Sequence, residues 1–240
     1  MWTASEKGEF EMEKAEVFSK IAGGLIVSCQ ALEDEPLHSS YIMSRMAYSA
    51  MLGGACGIRA NGIDDIEAIR GVVDLPVIGI VKRVYDDSDV YITPTLKEVA
   101  EVVASGAQVV SMDATARKRP GGETLDEFVA EVRRRYPDII LMADISDFAE
   151  GKHAAELGFD IVSSTMCGYT PYTKGESLPA LGLIGKLSAL GGIKVIAEGG
   201  IWSPDDLKAS FAAGAFAAVV GTAITRPREI TRRFAQSIKK

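Results

Sequence analysis

Histidine and cysteine are scarce in this sequence, and their scarcity limits the chemistry that the chain supports. There are two histidines, His38 and His153, and neither falls at the end of a predicted strand. A metal-dependent sugar enzyme would need histidines beside carboxylates, so we predict no metal and no cofactor. The three cysteines, Cys29, Cys56 and Cys167, are widely spaced and odd in number, which fits a reducing compartment better than a disulfide framework.

The sequence also lacks an excess of positive charge and a long apolar run. Its formal net charge is −7, which argues against nucleic acid or an anionic membrane as the main partner. An anionic small molecule is still compatible, because a local cationic pocket can coexist with an acidic exterior. No apolar run approaches the length of a membrane span, and the first residues are not typical of a signal peptide. We therefore expect a cytoplasmic enzyme.

The 240 residues contain one unit, an apolar strand followed by a loop and a helix, repeated eight times. We predict strands at residues 25–28, 57–61, 77–81, 109–113, 139–144, 161–164, 194–198 and 218–220. We predict helices at residues 11–22, 40–52, 64–73, 96–104, 124–136, 148–157, 181–190, 204–213 and 227–238. A doubly wound open sheet is the alternative, but the first strand lacks the G-x-G-x-x-G turn of that fold. We therefore predict a single (β/α)8 TIM barrel at residues 23–240, preceded by an N-terminal helical extension at residues 1–22 that covers the bottom of the barrel.

The third predicted strand ends in two adjacent cations, Lys82 and Arg83. Lysine rarely ends a buried strand for packing reasons alone, and the C-terminal ends of barrel strands converge on the mouth where active sites lie. Most of the other predicted strands also end in polar or charged residues: Gln30, Arg59, Asp113, Asp144 and Glu198. Each of these alone is compatible with a structural ion pair, but together they indicate an active site.

Glycine pairs follow the last two predicted strands. Barrels of this kind often bind phosphate between the loops after strands seven and eight, where glycine lets backbone N–H groups approach the anion. Gly199 and Gly200 follow strand seven, and Gly221 and Thr222 follow strand eight. We therefore predict a phosphate site in these loops, with Arg226 as an additional cation. The alternative is that the glycines only permit two tight turns.

Nine segments of the chain together resemble one known family, the N-acetylmannosamine-6-phosphate 2-epimerases. The resemblance extends from residue 23 to the C terminus and leaves out only the N-terminal extension. The segments are GGLIVSCQAL (23–32), GIRANG (57–62), IGIVKR (78–83), YITPT (91–95), DAT (113–115), MADIS (142–146), GYTPYTKG (168–175), AEG (197–199) and VGTAITRP (220–227).

The resemblance implies an enzyme of sialic-acid catabolism that interconverts N-acetylmannosamine 6-phosphate and N-acetylglucosamine 6-phosphate. It implies that Lys82 and Glu198 are catalytic and that the two glycine loops bind the substrate phosphate. It further implies that three residues contact the substrate, namely Gln30, Arg59 and Asp144. The loop at residues 168–175 would cover the sugar.

The resemblance also implies a homodimer, about which the residues themselves say little. Three apolar residues lie near the C terminus, Ile224, Ile230 and Phe234. We expect them to lie mostly in the core, although the last helix of such a barrel is also able to pack on a partner.

The implied reaction explains why a lysine and a carboxylate are needed. Inverting a carbon that bears an N-acetylamino group requires removal of its hydrogen, which is acidic enough only beside a carbonyl, so the open-chain aldehyde is the expected reacting form. Lys82 acts as a base only if its pKa falls well below about 10.4, which burial and a neighbouring Arg59 would favour. Glu198 would serve as the acid on the enolate oxygen or as a second base, with Asp144 as the alternative for either role.

Two other functions stay open at this point. Lys82 at a strand end would also suit a Schiff-base aldolase or lyase that acts on a sugar phosphate. The protein could instead bind a sugar phosphate as a regulator, but a binding site alone does not need a lysine and a carboxylate facing one carbon.

Overall fold

In the computed structural model, which describes residues 12–238, eight parallel strands close into a barrel in chain order. β1 pairs with β2 on one side and with β8 on the other, so that Ile26 lies beside both Gly57 and Val219. The predicted TIM barrel is confirmed. The strands are β1 (Leu25–Cys29), β2 (Gly57–Asn61), β3 (Val77–Ile80), β4 (Val109–Asp113), β5 (Ile140–Asp144), β6 (Ile161–Ser163), β7 (Lys194–Glu198) and β8 (Ala217–Val220).

The helices begin and end close to the predicted positions, because the chain marks their N-termini with capping side chains. Capping boxes open four of the helices, at Thr95, Thr124, Asp147 and Ser203. A short helix directly after β8 was not predicted. The helices are α1 (Lys14–Ile21), α2 (Ser40–Leu52), α3 (Ile63–Arg70), α4 (Leu96–Ala104), α5 (Leu125–Arg135), α6 (Phe148–Glu156), α7 (Leu181–Ser188), α8 (Pro204–Ala212), α9 (Thr222–Thr225) and α10 (Pro227–Ser237).

Successive side chains along each strand face the barrel interior and the helices in turn, and this divides the hydrophobic core into two layers. Side chains such as Ile78, Met142 and Ile196 fill the interior of the barrel, while their neighbours in sequence face the helices. At Gly79 the strand and helix layers approach so closely that an added Cβ would lie 2.6 Å from Cγ1 of Val102. This packing explains why β3, the strand that leads to Lys82, contains a glycine among β-branched residues.

Helix α1 lies at the bottom of the barrel, at the N-terminal ends of the strands. Its Val17 and Ile21 are buried in the interior layer of the core beside Ile26. The position of this helix agrees with the prediction, although its predicted start at Glu11 lies outside the described residues. None of the helices within residues 12–238 is long and apolar enough to cross a membrane.

The expectation that the C-terminal apolar residues lie in the core is wrong. Ile224 is 46% exposed and Phe234 is 72% exposed, while Ile230 is partly exposed. None of the described residues of α10 is buried. The helix has one apolar face, but that face does not pack against the barrel of its own chain.

Candidate active site

A cavity of about 470 Å³ opens at the C-terminal ends of the strands. The barrel topology brings to it side chains that are far apart in sequence, because all eight strands end at this mouth. Nine of the ten predicted site residues line this cavity: Gln30, Arg59, Lys82, Glu198, Gly199, Gly200, Gly221, Thr222 and Arg226.

Asp144, the tenth, lies beneath the cavity and is fully buried. Its carboxylate accepts two hydrogen bonds from the Arg59 guanidinium, at 3.0 Å and 2.6 Å, and one from the Ser111 hydroxyl at 2.9 Å. These three bonds use both oxygens of the carboxylate, so in this conformation Asp144 positions Arg59. Direct contact between Asp144 and a substrate stays a prediction.

Arg59 joins the two carboxylates of the site. The same Nη1 atom that bonds Asp144 also donates to Glu198, and the guanidinium is only 1% exposed. A buried cation is stable only when it is paired, and here it has two partners. The nearby carboxylates raise the pKa of Arg59 although burial opposes this, so Arg59 is a permanent positive charge at the base of the cavity.

Thr165 is a member of this network that the sequence analysis missed. Its hydroxyl lies 2.6 Å from a carboxylate oxygen of Asp144 and 3.1 Å from one of Glu198, and it also accepts from Arg59 at 3.2 Å. The residue follows β6 within a run of three hydroxyl side chains, Ser163 to Thr165. That run was the available signal, but hydroxyl residues are common in turns and carry little weight alone.

Glu198 is held so that its carboxylate borders the cavity. The Ser164 side chain bonds the backbone on both sides of this residue, accepting from Glu198 N–H at 3.1 Å and donating to its carbonyl at 2.9 Å. Burial raises the pKa of the Glu198 carboxyl, and the charge of Asp144 adds to this effect, while Arg59 opposes it. A raised pKa makes the carboxyl easier to protonate, which suits a group that transfers protons.

Lys82 lies two residues after the end of β3, at the wall of the cavity. Its backbone N–H donates to the side-chain carbonyl of Asn61 at 2.8 Å, which fixes the end of the strand. Among residues 12–238, no carboxylate lies within ion-pair distance of the Lys82 ammonium. Burial and the positive charge of Arg59 lower the pKa of Lys82 to about 8. Near neutral pH a substantial fraction of this amine is therefore unprotonated and available as a base.

Gln30 contributes a polar group that has no partner within the described residues. Its amide nitrogen donates to the Ser28 hydroxyl at 2.9 Å, whereas its amide oxygen is buried and accepts no hydrogen bond there. A buried acceptor without a donor is unfavourable. A hydroxyl or amide N–H of a ligand in the cavity would satisfy it.

The glycines in the loops after β7 and β8 differ in backbone conformation. Gly199 and Gly200 have φ values of +101° and +71°, which side chains other than glycine rarely adopt. An added Cβ at Gly200 would also lie 2.2 Å from Cβ of Leu178. Gly221 has a negative φ of −110° and lies directly before α9. An added Cβ there would lie 3.2 Å from Cβ of Ser28.

Arg226 reaches the cavity as predicted, but it is paired with Glu35 in the loop after β1. The guanidinium donates twice to that carboxylate, at 3.0 Å and 2.5 Å. The sequence analysis did not identify Glu35, because it lies in an acidic loop and not at a strand end. The positive charge of Arg226 is therefore partly compensated in this conformation.

Two of the charged strand ends do not belong to the site. Arg83 is not among the residues that line the cavity, and it pairs with Glu98 and Glu101 on α4. Asp113 is buried and pairs with Arg117 in the loop after β4. Both are structural ion pairs, which is the alternative that the sequence analysis kept open for every strand end.

The arrangement thus combines a base, a buried cation and a carboxyl group around one cavity, with two glycine loops on the side of β7 and β8. Comparison with known proteins identifies the family. Residues 43–240 match the family model described as "Putative N-acetylmannosamine-6-phosphate epimerase". The chain belongs to this epimerase family. The resemblance found in the sequence segments is confirmed, and the chain is an isomerase.

Individual relatives match over nearly the whole chain. One from Caldanaerobacter subterraneus subsp. tengcongensis is 50% identical over 94% of this chain and 95% of its own length. One from Clostridium perfringens is 52% identical over 91% of this chain and 98% of its own length. Both are named "Putative N-acetylmannosamine-6-phosphate 2-epimerase".

A solved structure also matches. It is that of the N-acetylmannosamine-6-phosphate 2-epimerase from Clostridium perfringens, with 48% identity and a TM-score of 0.90. The match covers 95% of this chain and 98% of the solved one. The barrel and its closure are therefore shared with that enzyme.

Proposed function

We propose that this chain interconverts N-acetylmannosamine 6-phosphate and N-acetylglucosamine 6-phosphate, in the catabolism of sialic acid and other amino sugars. The observation that carries the proposal is Lys82, whose lowered pKa makes it a base beside the Arg59–Glu198 pair. The printed names of the relatives support the substrate.

The first step is removal of the proton from the carbon that bears the N-acetyl group. This carbon is acidic only in the open-chain aldehyde, where the electrons left behind spread onto the aldehyde oxygen. With a pKa of about 8, roughly a quarter of Lys82 is neutral at pH 7.5, against about a thousandth at the ordinary lysine value. Returning the proton to the other face of the planar enolate gives the epimer.

The enolate oxygen needs positive charge or a proton. Arg59 supplies a fixed positive charge at the base of the cavity, and a preorganised charge in a partly buried site stabilises the enolate more than water does. Glu198, whose pKa is raised, acts as the acid that protonates this oxygen or as the second base on the opposite face. Thr165 and Asp144 hold both groups in place.

The phosphate lies at the other side of the cavity in this proposal, between the loops after β7 and β8. Gly200, Gly221 and Thr222 at the start of α9 line this region together with Arg226, and backbone N–H groups of glycine loops and helix starts are suited to bind phosphate. Because the phosphate does not react, these contacts bind the ground state and the transition state equally and act mainly on KM.

Turnover followed by proton NMR tests the proposed function directly. Purified protein given N-acetylmannosamine 6-phosphate should convert it to the N-acetylglucosamine epimer, and unphosphorylated N-acetylmannosamine should be a very poor substrate. Conversion of neither sugar would rule out the proposal. Cleavage of the carbon chain would favour the aldolase or lyase alternative.

We further propose that the protein is a homodimer. The apolar face of α10 is uncovered by its own chain, with Phe234 72% exposed and Ile238 84% exposed. A groove of about 540 Å³ lies between β1, α2 and α9, the short helix before α10, and is lined mainly by apolar side chains. A second copy of the chain would cover both surfaces. A monomer in sedimentation equilibrium at micromolar concentration would refute this.

The cysteines support a cytoplasmic location for this enzyme, which we also propose. All three are free, and Cys29 and Cys167 are buried. Burial raises the pKa of the Cys29 thiol to about 12, so this cysteine is a core residue without nucleophilic function. Cell fractionation of the source organism would test the location.

A further inference from the structure

Three apolar side chains form a small cluster beside Lys82, apart from both layers of the barrel core. They are Ile80, Ile92 and Met166, and each is at most 3% exposed. All three nevertheless line the active-site cavity, together with the partly buried Tyr91. The proposed proton transfer does not use them. We call these three residues the Ile80–Ile92–Met166 cluster.

The backbone fixes this cluster next to the proposed base. Lys82 and Ile92 lie opposite each other in an antiparallel bridge. The flanking bonds run from Arg83 N–H to the Tyr91 carbonyl at 2.9 Å and from Thr93 N–H to the Val81 carbonyl at 2.8 Å. This pattern makes Lys82 and Ile92 a non-hydrogen-bonded pair, in which opposite side chains lie on the same face and closest together.

Ile80 lies on that face as well, because it is two residues before Lys82 on an extended segment. Met166, the third member of the cluster, lies in the turn after β6. The carbon that Lys82 deprotonates must come within about 3–3.5 Å of the amine. Any group attached to that carbon is therefore within reach of the cluster.

The opposite end of the cavity is occupied by the glycine loops. In a closed ring of eight strands β3 lies across from β7, so Ile80 and Ile92, the two cluster residues beside Lys82, are on the opposite side of the mouth from Gly200. Met166 follows β6, which is next to β7. The other apolar lining residues, such as Leu178 and Trp202, lie on the Gly200 side. A hexose 6-phosphate held at the glycine loops thus directs its reacting end, and the substituent there, toward the cluster.

We infer that the Ile80–Ile92–Met166 cluster is the binding surface for the methyl end of the N-acyl group and sets the length of acyl chain that the enzyme accepts. The inference rests on the proposed function, in which the reacting carbon bears that group. The acyl methyl is the one apolar end of such a substrate, and the cluster is the apolar surface beside Lys82. Because the cluster is closely packed, it admits an acetyl group and excludes longer chains.

The test compares acyl chains of increasing length on matched variants. N-acetyl-, N-propanoyl- and N-butanoylmannosamine 6-phosphate are given to the wild type and to Ile92→Val, Ile92→Ala and Leu178→Ala. The measured quantity is kcat/KM for each longer substrate divided by kcat/KM for the acetyl substrate. This ratio does not depend on the fraction of each variant that is folded. Ile92→Val is a smaller change at the same position, so it still tests the inference if Ile92→Ala does not fold.

In the wild type, we expect each added methylene to reduce kcat/KM at least about tenfold, as is typical of a closed apolar pocket. Ile92→Ala should raise the butanoyl-to-acetyl ratio at least about tenfold, and Ile92→Val should raise the propanoyl ratio by a smaller factor. Leu178→Ala makes a similar cavity at the phosphate end and should leave both ratios within about twofold of wild type.

Two results would overturn the inference. One is an unchanged ratio in both Ile92 variants while they still turn over the acetyl substrate. The other is a shift of the ratio in Leu178→Ala instead. Neither result would affect the proposed function, which fails only if the wild type does not turn over the acetyl substrate at all.

Discussion

Glu35 and Arg226 form an ion pair at the rim of the cavity, between the segments that follow the adjacent strands β1 and β8, with two hydrogen bonds at 3.0 Å and 2.5 Å. Partial burial would raise the pKa of Glu35, but the bonds from Arg226 outweigh it and lower that pKa. The carboxylate is therefore ionised at neutral pH. In the proposed function, it would compete with the substrate phosphate for the same guanidinium.

This relationship predicts the effect of Glu35→Gln. The variant frees Arg226 and removes a negative charge near the phosphate, so KM should fall by roughly threefold to tenfold while kcat changes little. Steady-state kinetics measures KM, and inhibition by inorganic phosphate gives a second measurement. The inhibition constant of phosphate should fall in parallel with KM. As a control, Arg226→Gln should raise both KM and the inhibition constant of phosphate. A higher KM in Glu35→Gln would mean that the carboxylate is needed to position Arg226.

Lys82→Met tests the proposed base. Methionine fills much of the volume of the lysine stem, so the fold and thermal midpoint should be kept, while epimerisation should fall at least about 10⁴-fold. In D₂O the wild type should introduce deuterium at the carbon that bears the N-acetyl group. Exchange at the wild-type rate in the variant would exclude Lys82 as the base. Loss of exchange from only one epimer would indicate two bases.

The pH dependence of kcat/KM should report the same lysine. In the proposed mechanism the neutral amine is the active form, and burial together with Arg59 lowers its pKa to about 8. Activity should therefore fall about tenfold for each pH unit below that value and level off above it. Profiles should begin above pH 6.5, because the substrate phosphate itself titrates near pH 6. A flat profile between pH 7 and 9 would contradict the assignment.

Thr165→Val tests whether this hydroxyl positions the two carboxylates. Losing a hydrogen bond to an ionised group typically costs about 1.5–3 kcal/mol, so kcat/KM should fall roughly tenfold to a hundredfold. The bond from Thr165 lowers the pKa of Glu198, so that pKa should rise further in the variant and move the pH profile. Ser163→Ala is the matched control, because the Ser163 hydroxyl lies 2.8 Å from that of Thr165 and bonds neither carboxylate. Equal losses in both variants would indicate a general packing defect.

The two phosphate-loop glycines should respond differently to alanine. At Gly200 a Cβ would lie 2.2 Å from Cβ of Leu178 and φ is +71°, so Gly200→Ala should lower the thermal midpoint and the yield of folded protein. Gly221 has no such strain, and its closest approach is 3.2 Å, so Gly221→Ala should fold and mainly raise KM. A Gly221 variant with normal KM but reduced kcat would place the phosphate elsewhere.

The repeated pattern of the sequence was enough to predict the barrel and most of its element boundaries. Each strand is a short apolar run and each helix has its own local start and stop signals, such as the capping box at Thr95, so both depend on neighbouring residues alone. The same logic singled out Lys82, Arg59 and Glu198, because charges on buried strands are costly unless they are paired or belong to a site. Glycines after β7 and β8 carried a similar local signal.

Only the tertiary structure decided which of these charges act together. Arg83 and Asp113 follow the same local pattern as Lys82 and Glu198, yet each pairs with an ion partner outside the cavity. Arg59, by contrast, pairs with Asp144 and Glu198 on two other strands, and no local pattern encodes distances between residues so far apart in the chain. The roles of Thr165 and Glu35 and the exposure of Phe234 were hidden for the same reason. The lowered pKa of Lys82 likewise arises from burial and from a cation on a neighbouring strand, and both exist only once the barrel has closed.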